Sequence, residues 1–220
     1  MKHKVFISKG TATTPEQTAF VTSILDTLEL SGLDSRIMNG NEWSHEQPLK
    51  AIKKVISECE GLVIIAFTRS HFDSGYEYQR GVAQTLNDIS LPTTWNHIEG
   101  ALAYSLGMPI LVIAEDGLKS EGLIEQGYDW RVYWTSLDPD ISKAQSFRGV
   151  VESWKSAIQQ YSESKKRKEI IDLEKLTPKM LFHSLTIAQI AAVLGTIISI
   201  LVAVSAFSYK YGSGKFPWDS

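Results

Sequence analysis

Glu99 and Trp95 are four residues apart in Thr93-Thr94-Trp95-Asn96-His97-Ile98-Glu99, and their types and spacing suit them to chemistry. On a helix that separation puts both on one face. A carboxylate in the second turn, beside a tryptophan and near the loops of an α/β sheet, is placed to hold a sugar. An acid near a helix N-terminus is also favoured by the helix dipole alone, so the residues by themselves leave both readings open. Other chemistries find less support. His3, His45, His71 and His97 show no metal-ligand spacing, and no metal site is expected. No serine occupies a strained strand-to-helix elbow, which argues against a Ser-His-Asp hydrolase.

The elements that must position Glu99 can be read on either side of it. Pro92 can start a helix, Thr93 and Thr94 offer hydroxyls to its free N–H groups, and Gly107 followed by Pro109 ends it before the apolar run Ile110 to Ala114. Ile98, Leu102 and Leu106 mark a face that packs on a sheet. Upstream, Val5 to Ser8 reads as a first strand that opens into the hydroxyl-rich loop Lys9 to Thr14. A helix follows from Pro15, with Phe20, Val21, Ile24, Leu25 and Leu28 at helical spacing, closing near Ser31-Gly32. Leu33 to Met38 is expected as an edge strand, Leu49 to Ile56 as a helix, and Leu62 to Phe67 as the most apolar strand. Arg131 to Trp134 reads as a last strand, and Phe147, Val150, Val151, Trp154 and Ile158 as the stripe of a closing helix.

Strand and helix in alternation, with continuous apolar strands, predict a doubly wound, flavodoxin-like α/β domain whose five-stranded sheet is mostly parallel. Ligands of such sheets bind outside the carboxyl ends of the strands, where the strand order reverses. That edge would be built from Ser8 to Thr14, Asn39 to Pro48, Thr68 to Leu91 and the start of the Glu99 helix. The connection Thr68 to Leu91 is long for a compact domain. A short helix is expected in it around Glu77 to Leu86, and it reads either as a lid over a ligand or as an excursion that packs against another subunit.

The net charge of −3 is mild and no basic field marks a nucleic-acid partner. Cys59 is the only cysteine, which excludes an internal disulfide. Met1 to Lys4 run straight into strand-like sequence, so a cytosolic start is expected for the N-terminal domain. After Ser162 the character changes to the basic run Lys165-Lys166-Arg167-Lys168, and between Met180 and Tyr209 there is no Asp, Glu, Lys or Arg. About 20 apolar residues suffice to cross a bilayer as a helix. The division expected is a domain at 1–161, a charged linker at 162–178, a transmembrane helix at 179–209 and a short tail at 210–220. Lys165 to Lys168, Lys175 and Lys179 precede the apolar segment, against Lys210 and Lys215 after it, which places the N-terminal domain in the cytoplasm of a single-pass protein.

Val5-Phe6-Ile7-Ser8, Leu62 to Phe67 and Trp95-Asn96-His97-Ile98-Glu99 resemble the first strand, third strand and following helix of the Toll/interleukin receptor (TIR) family. The phrase from Glu99 through Gly107-Met108-Pro109 to Ile110 is also similar to the related nucleoside deoxyribosyltransferase-like N-glycosidases, with a catalytic glutamate, a small-residue helix and Gly-x-Pro before a strand. The loop Asn39 to Pro48 lacks the Arg-Asp-x-x-Pro-Gly pattern of many TIR domains, and Lys9 stands where a histidine or tyrosine is common.

The resemblance implies cleavage of the nicotinamide–ribose bond of NAD, as substrate and not as cofactor, with Glu99 catalytic. A fixed carboxylate beside the sugar stabilises the positive charge of an oxocarbenium-like transition state. Trp95 or Trp43 would then stack on a base. Ser8, Lys9, Gly10 and Thr11 would meet phosphates near a helix N-terminus, and Phe67 and Thr68 would form the pocket floor. Control by self-association into a homo-oligomer is implied as well, and in a bacterium an immune effector that halts an infected cell. Two other functions stand beside this one: a non-catalytic membrane-anchored scaffold, and a nucleotide sensor whose helix perforates the bilayer. A deoxyribosyltransferase-like N-glycosidase is a further enzymatic alternative.

Overall fold

The computed structural model describes residues 2–38, 48–171 and 186–213. Trp43 and the rest of its loop lie outside them, as do 172–185 and the tail from 214. The chain divides into two units, 1–165 and 166–220. The first carries a five-stranded parallel sheet ordered β2-β1-β3-β6-β7, with β1 at His3–Lys9, β2 at Leu33–Arg36, β3 at Gly61–Ala66, β6 at Ile110–Glu115 and β7 at Arg131–Thr135. A separate antiparallel pair, β4 (Ser70–Gln79) and β5 (Val82–Leu91), is inserted after β3. Setting that pair aside, the order is that of flavodoxin-like folds, with its switch point between β1 and β3.

The continuous apolar runs become the central strands because both of their faces are covered. Every residue of β3 is buried, as are Ile110 to Ala114 of β6. Val5, Ile7, Val63, Ile65, Leu111 and Ile113 pack on one face against α1 (Pro15–Leu30) and α4 (Gln145–Ile171). Phe6, Leu62, Ile64, Ala66, Val112 and Ala114 face the other way, toward α2 (Pro48–Ser57) and α3 (Thr94–Ser105). The sheet is therefore wound on both sides, as the alternation of strand and helix requires.

Caps fix where the helices start. Thr14 accepts a hydrogen bond from the Gln17 N–H, with Pro15 at the first helical position of α1. Thr93 does the same for the Trp95 N–H at the start of α3. Gly107 then turns the chain at φ +66°, a conformation that favours glycine, and α3 ends. The C-terminal half of α4 is tied to the sheet by Ser162, which hydrogen-bonds to Glu60, itself paired with His3 at 2.7 Å. Lys165 Nζ donates to the Ser57 carbonyl at 2.7 Å.

The connection from Thr68 to Leu91 departs from expectation. No helix forms around Glu77 to Leu86; the segment is a hairpin with Gln79 opposite Val82. Its two-residue turn, Arg80-Gly81, has φ of +50° and +82°, the pairing of positive angles that lets adjacent strands keep their twist. A helix there would need Gly81 in its interior, where glycine is costly, and a run this short gains little on its own.

The basic run from Lys165 lies on α4, which continues to Ile171 without a break in the helix at Tyr161. In the second unit the apolar segment is the helix α5, Ile187–Ser213. Ala188–Gly212 spans 25 residues with mean hydropathy 2.5, almost wholly exposed, and is the one helix among the described residues long and apolar enough to cross a membrane. A single-pass arrangement agrees with it.

Candidate active site

A cleft of about 400 Å³ opens at the carboxyl ends of β1 and β2, a size within the range of small-molecule sites. Lys9, Gly10 and Thr11 line one side, Ile37 and Met38 another, and Glu99 reaches in from α3. Close packing carries Glu99 to that position. Its neighbour Gly100 has no room for a side chain, because a Cβ there would lie 2.2 Å from Leu123 Cδ1 and 2.9 Å from Ile64 Cδ1. The helix can approach β3 this closely only at glycine.

Glu99 is 9% exposed. Burial pushes its carboxyl up to about 7, and a hydrogen bond from Ser8 pulls the other way. Ser8, at the end of β1, is itself buried. Its Oγ accepts from Asn96 Nδ2 at 2.9 Å, and its carbonyl accepts from the same nitrogen at 3.1 Å. With a lone pair of Oγ engaged by Asn96, the hydroxyl proton is directed at Glu99. Asn96, Ser8 and Glu99 thus form one buried chain of polar groups. Asn96 Oδ1 has no hydrogen-bond partner among the described residues, although it is buried, where such an atom normally finds one.

The sheet edge around the cleft is braced by a second set of bonds. Gln17 Oε1 accepts from the Thr13 N–H and Oγ1, while Gln17 Nε2 donates to the Thr68 carbonyl at 3.1 Å. The Thr68 N–H donates to Glu115 Oε2 at 2.6 Å. The loop after β1 is thereby tied to the ends of β3 and β6.

The structure brings Glu99, Lys9, Gly10 and Thr11 together on the cleft, with Ser8 directly behind. Phe67 is buried among α1 and α4 residues and lies behind Gly10, 3.3 Å from where a Cβ would stand. Thr68 serves the brace just described, and neither residue lines the cleft. Trp95, on the outer side of α3 and about one-third exposed, does not line it either. Sequence reasoning passed over Asn96 and Gln17. Asn96 had a readable signal, since it stands three residues before Glu99 and so shares a helical face with it. Gln17 had none, because its partners are 51 residues away or in the loop before it. Among the described residues no group of His, Cys, Asp and Glu is arranged to hold a metal ion.

No family model and no curated protein matches the chain. Solved structures weakly similar to it include the following three. The CMP N-glycosidase BcmB of Clostridium botulinum is 14% identical with a TM-score of 0.41, over 62% of this chain and 91% of that one. The flavodiiron core of Flv1 from Synechocystis is 10% identical with a TM-score of 0.40, over 72% of this chain and 36% of that one. Diflavin flavoprotein A3 of Nostoc is 11% identical with a TM-score of 0.39, over 76% and 97%.

Proposed function

We propose that the chain is a membrane-anchored glycosidase that cleaves the nicotinamide–ribose bond of NAD and is switched on by self-association. The observation that carries the proposal is a buried carboxyl, Glu99, held by Ser8 at the wall of a cleft beside the switch point of the sheet. The C1′–N bond breaks with its electron pair leaving on nicotinamide, and the ribosyl cation that remains is taken by water or another acceptor. Positive charge develops on the sugar beside Glu99, where low-dielectric surroundings make a fixed carboxylate most effective. The same charge on the bound pyridinium lowers the carboxyl pKa, so substrate binding itself drives ionisation of a group otherwise poised near neutrality. In this reading Lys9, with the backbone of Gly10 and Thr11, which line the same cleft as Glu99, meets the phosphates. The orientation proposed for α5 keeps this domain in the cytoplasm, where NAD is available, and in a bacterium its activation would halt an infected cell.

The test is NAD consumption by the full chain in vesicles at high surface density. Wild type should consume NAD and release nicotinamide, while Glu99→Gln should lose about 10²–10³-fold. Equal turnover by the two would remove Glu99 from the chemistry, and no turnover by either would remove the enzyme.

A further inference from the structure

The β4–β5 hairpin contributes no residue to the cleft, yet it carries an unusual surface. Alternate residues of the ribbon point to opposite faces. Phe72, Tyr76 and Tyr78 fall on one face, with Thr85, Ile89 and Leu91 across the ladder. That face carries no Asp, Glu, Lys, Arg or His. His71, Asp73, Glu77 and Asp88 all fall on the other face. The charged face is the one fastened to the domain: Glu77 pairs with Lys119 at 3.0 Å, and the Lys119 N–H donates to the Ser90 carbonyl at 2.9 Å. The aromatic face is left to solvent, with Phe72, Tyr76 and Tyr78 exposed to 51%, 73% and 75%.

We infer that this face is where two copies of the chain meet, packing hairpin against hairpin about a two-fold axis; the inference deepens the self-association in the proposed function and rests on it. Three observations favour a second copy as the occupant. Charge is one. A chain of net charge −3 repels itself, and a surface with no charged residue and several aromatic rings brings two copies together without like-charge contact, as interface cores do. Area is another. Aromatic side chains bury about 150–250 Å² each, so the exposed parts of the three rings come to roughly 400 Å², about half of the ~800 Å² per partner in a standard interface. Alone that supports only weak association. The third is α5, whose apolar length suits a membrane. Copies anchored in one bilayer share a plane and a side, which raises their effective concentration enough for a weak contact to count. A two-fold contact is also self-complementary and closes at the dimer.

The only cysteine, Cys59, is buried, which gives a clean background for crosslinking. Sheets packed face to face lie about 10 Å apart, so a bismaleimide of that reach is applied to full-length protein in neutral phosphatidylcholine vesicles. Ser74→Cys, in the middle of the aromatic face, should give crosslinked dimers. Gln84→Cys, exposed on the charged face, should not. Adding Phe72→Ser, Tyr76→Ser and Tyr78→Ser to Ser74→Cys should lower the yield by about tenfold or more, the loss expected when anchor rings are removed. Equal crosslinking at the two positions, or a yield indifferent to the three serines, would overturn the inference. So would quenching of a dye at Ser74→Cys by lipid-borne quenchers, which would assign the face to the bilayer. Glu99→Gln in the same background should crosslink as well as its parent. Dimers without NAD turnover would thus sink the enzymatic reading alone, and turnover without dimers would sink this one.

Discussion

A carboxyl held near pH 7 inside a protein leaves a signature in stability, and one that takes part in the chemistry leaves a second in rate. The folded-state value of about 7 lies above the ordinary value of 4.5, so the native state binds the proton more tightly, and stability falls as pH rises from 4.5 to 7 and is level beyond. The span corresponds to on the order of 3 kcal/mol. Glu99→Gln, which keeps the shape and cannot ionise, should raise the melting temperature relative to wild type at pH 8 and leave it unchanged near pH 4.5. A gain equal at both pH values would mean that ionisation is not its source. The second signature is in rate. If the ionised form stabilises the sugar cation, kcat/KM should climb with pH through a midpoint close to 7. Ser8→Ala removes a hydrogen bond that favours the ionised form and should move that midpoint to higher pH. Loss of rate with an unmoved midpoint would limit Ser8 to packing. Because Asn96 Nδ2 turns the Ser8 proton toward Glu99, Asn96→Leu should shift the midpoint in the same direction by a smaller amount.

Between elements, the position of Glu99 depends on the contact of α3 with β3. Gly100→Ala would drive a methyl into Leu123 and Ile64, and of these Ile64 is fully buried. Overpacking of this kind costs about 1–3 kcal/mol. The melting temperature should fall, and NAD turnover should fall further than the lost stability explains if the strain is relieved by a shift of α3, which would displace Glu99. Normal turnover in the folded fraction would show that the approach is not critical. This contact was invisible in the sequence, where Gly100 is one of several small residues on α3. What was legible followed from burial: β3 and β6 announce themselves by unbroken apolar runs, α1 by its period, and α3 by Pro92, Thr93 and Gly107. Glu99 was legible too, because its helix is bounded so sharply. The hairpin was not, since neither of its faces belongs to the core and no buried side imposed a pattern on it. Only Arg80-Gly81 betrayed it, through a turn that needs positive φ at two successive residues. The braces that shape the cleft, Gln17 to Thr68 and Thr68 to Glu115, join residues far apart in sequence and leave no local trace.

At the scale of the whole molecule, the proposed function has a weak contact between copies control the active site. The hairpin follows β3 directly and leads through Pro92 into α3, so a partner seated on it acts on the segment that carries Glu99. A contact of the area estimated above leaves most copies monomeric in dilute solution, which in the proposed function would keep turnover low, and confinement to a bilayer makes surface density the variable that matters. In vesicles holding a fixed amount of protein, tenfold more lipid should therefore lower NAD turnover per molecule by up to about tenfold, as expected when the active dimer is the minor species. The three-serine hairpin variant should show low turnover at every density. Specific activity that stays constant across the dilution would mean that one copy holds a complete active site, and control would then have to reside in the cleft itself.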